Sequence, residues 1–171
     1  MACALSLPGV DRFRDAAPFV LRCGIGVIFI SHAYLRVANS GGISAFEDFV
    51  RFLELPIPAV TAQVVTWLEL VGGILLILGT LTRLVSFLFV LEMIGTTAYV
   101  KLYKLETGII GEMGAGAELD VAVGVGALAL VLLGPGWAAV DRLIGIEKRP
   151  PALIASAAVE RSRPAASGFQ G

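Results

Sequence analysis

The chain has 171 residues, of which 57% are hydrophobic and 16% charged, with a formal net charge of -1 and a mean hydropathy of +0.85. This composition excludes an ordinary soluble globular domain and predicts an integral membrane protein embedded in the lipid bilayer. The small net charge, without a basic stripe interleaved with aromatic residues, argues against nucleic acid as a partner.

Histidine and cysteine are too scarce to build a familiar metal or redox centre. The sequence has one histidine, His32, and two cysteines, Cys3 and Cys23, which are not in a Cys-x-x-Cys spacing. A bis-His haem, an HExxH zinc site and an iron-sulfur site all need more of these ligands. We therefore expect no metal and no intrinsic cofactor, so that any redox cofactor is borrowed or diffusible.

The first apolar run covers residues 18–37 and opens with Pro18, which is tolerated in the first turn of a helix. It predicts an uncleaved first membrane span, preceded by a cytoplasmic lead at 1–17. Arg22 lies about one turn inside this span, where it can snorkel to the near surface, and His32 lies toward the far end. Either residue can be a structural polar group or anchor without any chemistry.

The next segment, ISAFEDFVRFLEL at 43–55, predicts an amphipathic helix. Its apolar residues recur at helical spacing, and its charged residues fall largely on the opposite side. It is too short to span a bilayer. We predict a helix that lies in the interface between the first and second spans or caps the mouth of the bundle.

Two apolar runs, 60–79 and 83–102, predict a tight transmembrane hairpin with its turn at 80–83. Glu69 and Glu92 each lie about nine residues into their run, so both carboxyls are predicted near the membrane midplane, about 14 Å deep. An ionisable group at that depth costs on the order of 2.5 kcal/mol, which favours a position inside the bundle. Two buried acids without a cation would not both ionise, so we expect a shared proton.

Small residues flank both acids on the predicted helix faces. Glu92 shares a face with Gly95, Thr96 and Tyr99, and Glu69 shares one with Gly72 and Gly73. Small residues permit close approach of membrane helices. The positions predicted to pack helices together are Gly72, Gly73, Gly95 and Gly124.

A fourth span is predicted at 118–134, with Glu118 and Asp120 at its mouth and Gly134-Pro135-Gly136 at its end. The transmembrane domain then covers 18–145, and the Pro, Ala, Ser and Arg content of 146–171 predicts a disordered tail. The fold class is therefore an all-α membrane protein, a four-transmembrane-helix bundle with an interfacial amphipathic helix.

Basic residues predict the orientation of the chain. With four spans, eight of them share the side of both termini and the turn that contains the anchor Arg83, and four lie on the other side. The eight are Arg12, Arg14, Arg83, Arg142, Lys148, Arg149, Arg161 and Arg163, and the four are Arg36, Arg51, Lys101 and Lys104. Both termini are therefore predicted to be cytoplasmic.

Three segments together resemble the DoxX family of small four-helix bacterial membrane proteins. They are LRCGIGVIFISHAYLRV, ELVGGILLILGTLTR and ELDVAVG followed by LLGPGWAAVD, and the likeness covers Pro18 to Arg142. His32 falls where the family often has a His-Gly pair, although Ala33 replaces the glycine and Arg36 stands where lysine is usual. The resemblance implies a bacterial inner (plasma) membrane location and a link to oxidoreductase assemblies, since some relatives are similar to the quinone-facing subunit of thiosulfate:quinone oxidoreductase.

Three functions fit these features. The favoured one is an accessory or structural subunit of a membrane-bound oxidoreductase, not catalytic by itself, whose partner is a larger membrane complex or further copies of this chain. The alternative is a redox subunit that binds a quinone, or its protons, at His32, Glu69, Glu92 and Tyr99. A small proton-coupled transporter also fits the two deep acids, but no inverted repeat or broken helix is evident in the sequence.

Overall fold

The computed structural model describes residues 16–111, 116–136 and 138–145, and every regular element in these ranges is a helix. Helix α1 is Ala17–Ala38, α2 is Gly42–Phe52, α3 is Pro58–Leu78, α4 is Thr82–Gly95, α5 is Glu118–Leu133 and α6 is Val140–Leu143. Helix α4 continues without a break as a π-helical segment, Thr96–Lys104. Most of the predicted lead at 1–17 and the predicted tail at 146–171 lie outside the described residues.

Three helices are long and apolar enough to cross a membrane: α1, α3 and the continuous helix Thr82–Lys104. Their outward faces carry exposed large apolar side chains, which suit a lipid environment. On α3 these recur at helical spacing, at Val64, Trp67, Val71, Ile74 and Leu78. The chain is therefore a membrane protein, and α5, with 16 residues, is a shorter helix packed against α4.

The helices pack as two close pairs, α1 on α3 and α4 on α5, with α2 lying against α3. The α1–α3 contact depends on two glycines, because a Cβ at Gly73 would lie 2.9 Å from the Gly26 carbonyl oxygen, and one at Gly26 would lie 2.8 Å from the Gly73 oxygen. The backbones can approach this closely only where both residues lack side chains.

The pairs meet in an apolar core centred on Phe29 and Phe89, whose rings stack with centroids 3.6 Å apart. A Cβ at Gly72 would lie 3.0 Å from the Phe89 ring, so this glycine provides the room for it between α3 and α4. The buried apolar residues of the core are Ile25, Phe29, Leu76, Val85, Phe89, Val123, Ala127 and Leu130.

The α3–α4 turn forms where the sequence predicts it. Gly79 adopts φ +72, which lets Thr80 N–H donate to the Leu75 carbonyl at 2.9 Å and closes the end of α3. The backbone amides at the start of α4 have no acceptor within their own helix and are capped by a residue far along the chain. The buried Asp141 carboxylate accepts from Leu81 N–H at 2.7 Å and from Thr82 N–H at 2.9 Å.

This cap is expected to stabilise the protein substantially. Asp141→Ala leaves the Leu81 and Thr82 amides without their acceptor, and the Thr82 bond is buried, so we expect a cost of about 2 kcal/mol in the free energy of unfolding. Unfolding of the purified protein in mixed micelles by SDS titration measures this loss. Asp141→Asn keeps one acceptor oxygen and should lose less, whereas an Asp141→Ala protein as stable as the wild type would contradict the cap.

Candidate functional site

A buried ion pair joins α1 to α3 near the middle of the bundle. Arg36 donates from Nη1 to Glu69 Oε2 at 2.8 Å and from Nη2 to Glu69 Oε1 at 3.1 Å. The side chains are 18% and 5% exposed, so the pair is largely enclosed. Two parallel charge-assisted hydrogen bonds fix both the position and the orientation of the Glu69 carboxylate.

Helix α2 covers this pair. The Arg36 guanidinium carbon lies 3.9 Å from the centroid of the Phe46 ring, close enough for a cation–π contact. The predicted amphipathic face of α2 is thus directed into the molecule, with Val50 and, just after the helix, Leu53 each 2% exposed. Arg51 on the opposite side pairs with Glu47 and Asp48.

Glu92 on α4 faces Glu69 across the bundle. Its Oε2 atom is buried and accepts no hydrogen bond from the described residues. Two carboxyl groups therefore lie beside a single guanidinium, and the three groups carry one excess negative charge unless a proton is bound. Such a cluster can hold and release a proton or bind a polar group.

The cluster lines a cavity of about 430 Å³, a size typical of small-molecule sites. Both polar, titratable residues and apolar residues line it, and they come from all the helices from α1 to α5. The polar lining residues are His32, Arg36, Thr61, Glu69, Glu92, Thr96, Tyr99, Lys101 and Asp120.

Two polar contacts hold the end of α2 over this cavity. The Tyr99 hydroxyl donates to the Leu53 carbonyl oxygen at 3.0 Å, and Lys104 forms an ion pair with Glu54. The Lys104 hydrogen bond lowers the pKa of Glu54 below its ordinary 4.5. The pKa of Glu54 is therefore lower in the folded protein than in the unfolded chain. The contact stabilises the fold fully at a pH above the unfolded-state pKa, and this stabilisation is lost as the pH falls through the folded-state pKa.

The Tyr99 contact can be tested on its own. Tyr99→Phe removes the only donor that this side chain offers, and we expect the end of α2 to open more often, at a cost of about 1 kcal/mol. Hydrogen exchange of peptides from residues 42–55 measures the opening and should rise severalfold. Tyr34, which is exposed on α1, gives the control Tyr34→Phe. Equal exchange in the two variants would contradict a role for Tyr99 in holding α2.

The four residues predicted for ligand or proton binding, His32, Glu69, Glu92 and Tyr99, all line this cavity. His32 is exposed and lies at its rim, whereas Glu69 is buried. Asp120, which the sequence assigns to the mouth of the last helix, lines the same cavity.

The glycines predicted to pack helices divide into two groups. Gly72 and Gly73 lie at close contacts, and a Cβ at Gly124 would lie 3.1 Å from Met93 Cβ, between α4 and α5. The prediction for Gly95 is wrong, because a Cβ there would meet nothing within 4 Å. Gly95 lines the cavity, so the space beside it is open instead of being filled by another helix.

The predicted anchors lie away from the cavity. The prediction that Arg22 snorkels to the surface is wrong, since its side chain is buried and donates to the Ala138 carbonyl oxygen at 3.2 Å. The residues that follow α5 fold back over it and enclose it. Arg83 donates to the Val131 and Leu132 carbonyl oxygens at the end of α5, and Glu118 is exposed.

Sequence reasoning missed Arg36 as the partner of the buried acids. Its position near the end of α1 suggests the membrane surface, but helical side chains lean toward the N-terminus of their helix. The long Arg36 side chain therefore reaches back about one turn, to the level of Glu69. The signal that could have found it is the position of Arg36 one turn after His32, on the same side of α1.

No group of three His, Cys, Asp or Glu residues within the described ranges is arranged to hold a metal ion.

Comparison with known proteins gives a family and three distant relatives. The DoxX family model matches residues 17–102. A Bacillus subtilis (strain 168) protein named "Putative oxidoreductase CatD" is 30% identical over 135 residues, 79% of this chain and 92% of its own length. No solved structure matches the chain at a significant level.

Two further relatives are membrane proteins by name. The Escherichia coli (strain K12) "Inner membrane protein YphA" is 27% identical over 134 residues, 76% of this chain and 94% of its own length. The Mycobacterium tuberculosis (strain ATCC 25618 / H37Rv) "Uncharacterized membrane protein Rv3486" is 28% identical over 130 residues, 71% of this chain and 77% of its own length.

Proposed function

The chain belongs to the DoxX family, and from this premise we propose that it is a membrane subunit of an oxidoreductase system that binds a quinone-type headgroup. The observation that carries the proposal is the cavity beside the Arg36, Glu69 and Glu92 cluster. The name of the CatD relative supports an association with redox chemistry.

The composition of the cavity wall suits such a headgroup. A quinone ring needs an apolar slot, and its two oxygen substituents need a few polar groups. Phe46 and Phe49 of α2 and Tyr99 of the π-helical segment supply aromatic surface, and the buried cluster supplies charge. Quinones are lipid-soluble, so the ligand would reach the site from the bilayer.

We further propose that the chain is an accessory subunit, not catalytic alone. The whole sequence has one histidine and two cysteines, which cannot supply the ligands of a haem or an iron-sulfur cluster. The electrons exchanged with a bound quinone would then pass to or from a partner subunit.

The proposed setting is the bacterial inner membrane, with four spans and both termini in the cytoplasm. The YphA name supports the membrane, and the excess of basic residues on one side supports the orientation. Helix α5 would be the fourth span, since its 16 residues cover roughly 24 Å. This length is less than the bilayer core of about 30 Å, so the bilayer would thin around the helix, and the helix would not need to tilt. Helix α2 would lie at the outer interface.

Filling the cavity tests the proposal without removing any polar group. Gly95 lines the cavity and Gly24 lies in open space on α1, so Gly95→Leu and Gly24→Leu add the same side chain at two places. The protein is purified in nanodiscs and titrated with a decyl-tailed benzoquinone. We expect Gly95→Leu to weaken binding at least about tenfold, or 1.4 kcal/mol, and Gly24→Leu to leave it unchanged.

Absence of saturable binding to the wild type, or equal binding by the wild type and Gly95→Leu, would overturn the cavity as a quinone site. Circular dichroism and size-exclusion elution serve as folding controls for both variants.

A second candidate function is favoured by an apolar groove of about 750 Å³ between α1 and α5. Small residues line part of it, including Gly24, Ala122 and Gly126, and they would let a foreign helix approach closely. On this hypothesis the chain is a packing subunit without a ligand. Loss of a stoichiometric partner from mild-detergent preparations of Gly24→Leu, with Gly95→Leu unaffected, would support it.

A further inference from the structure

The cavity contains two buried acceptor atoms with no donor. Glu92 Oε2 and Asp120 Oδ2 each have almost no accessible surface, and neither accepts a hydrogen bond from the described residues. Both residues line the cavity, one from α4 and the other from α5. A buried acceptor without a donor is unfavourable, and in a cavity a ligand can satisfy it.

Three of the donor side chains that line the same cavity already have partners. Arg36 donates twice to Glu69, the Tyr99 hydroxyl donates to Leu53, and the Thr96 hydroxyl donates to the Glu92 carbonyl oxygen at 2.9 Å. A ligand that brings its own hydroxyl groups would therefore find acceptors. A ligand with only carbonyl oxygens would have to compete with these partners for the hydrogen bonds of Arg36, Tyr99 and Thr96.

The Glu92 carboxyl group keeps acceptor capacity whether or not the cluster holds a proton, because a protonated carboxyl has one O–H donor and still accepts at its remaining lone pairs. Glu92 lies beside Glu69, and a proton shared by the two acids still leaves acceptor sites that a ligand can use. The titratable groups near Glu92 are those of Glu69, Arg36 and Asp120, and the groups near Asp120 are those of Glu92, Lys101, His32 and Glu118.

We propose that the cavity binds the reduced headgroup, a hydroquinone, whose two hydroxyl groups donate to Glu92 Oε2 and Asp120 Oδ2. This inference rests on the proposed function and narrows its ligand to one redox form. It concerns binding alone, since the two acids accept hydrogen bonds from the hydroquinone without any transfer of electrons.

The first experiment uses the wild-type protein in nanodiscs under argon and three forms of one decyl-tailed headgroup. These are the hydroquinone, kept reduced by dithionite, the oxidised quinone, and the hydroquinone dimethyl ether, in which both donors are methylated. We expect the hydroquinone to bind at least about tenfold more tightly than the other two, or 1.4 kcal/mol. Quinone binding equal to or tighter than hydroquinone binding would overturn the inference and leave the quinone-type site intact. Binding of none of the three would overturn both.

The second experiment exchanges acceptors for donors. Glu92→Gln with Asp120→Asn gives both positions N–H groups that can donate to quinone carbonyls. We expect the preference for the hydroquinone to fall at least about tenfold, because each amide replaces one acceptor oxygen with an N–H donor. Asp48→Asn, an exposed acid on α2 outside the cavity, is the matched control and should keep the wild-type ratio. An unchanged ratio in the folded double variant would contradict the assignment of these two acceptors.

Discussion

Arg36→Gln is expected to lower the free energy of unfolding by about 3–5 kcal/mol, the range found when one partner of a buried ion pair is removed. The variant leaves Glu69 and Glu92 facing each other inside the bundle without their cation. It also removes the contact with Phe46, so α2 should loosen at the same time. SDS-induced unfolding in mixed micelles, followed by circular dichroism, measures the loss.

Arg51→Gln is the matched control, because Arg51 makes two ion pairs on the exposed side of α2. Exposed pairs contribute little, so this variant should lose no more than about 1 kcal/mol. The double variant Arg36→Gln with Glu69→Gln should recover part of the loss, since no unpaired carboxylate then remains at position 69. If Arg36→Gln and Arg51→Gln lose equal stability, the buried pair does not have the assigned role.

Gly73→Ala is expected to damage the contact between α1 and α3 strongly, although it adds only one methyl group. The added Cβ would lie 2.8 Å from Ile30 Cγ1 and 2.9 Å from the Gly26 carbonyl oxygen. A backbone oxygen cannot turn aside as a side chain can, so α1 and α3 must separate. Overpacking of this kind costs about 1–3 kcal/mol, and here it acts where the two helix backbones meet.

Gly24→Ala makes the same chemical change on α1, where the added Cβ meets nothing within 4 Å. Alanine is the better helix former, so this control should be neutral or more stable by up to about 1 kcal/mol. Unfolding of the two variants under identical conditions gives the comparison. A Gly73→Ala protein as stable as Gly24→Ala would show that the close α1–α3 approach is not required.

The sequence predicted the long helices and the turn because these depend on local properties. Apolar runs of about twenty residues give the spans, and Gly79 with the polar residues after it gives the turn. The proximity of Glu69 and Glu92 was also predictable, because each lies about nine residues into its apolar run and the two runs form neighbouring helices. All these features can be predicted from the spacing of residues along the chain.

Features that depend on contacts between helices were not predictable in this way. Helices α3 and α5 are apolar on nearly all sides, so periodicity does not say which neighbour each one packs against. The π-helical segment Thr96–Lys104 has no signature of its own, and its place beside α2 involves the Tyr99 hydrogen bond. The Arg36 pair was missed because depth was assigned from backbone position, without the reach of the side chain.

The central claim is that the cavity under α2 holds a quinone-type headgroup. Photolabelling with a decyl-tailed quinone that carries a diazirine on its ring, in wild-type nanodiscs, tests this most directly when labelled peptides are mapped by mass spectrometry. The account predicts saturable labelling in residues 42–53 and 92–101, which unlabelled hydroquinone suppresses. Labelling concentrated in the groove between α1 and α5, or labelling that does not saturate, would contradict it.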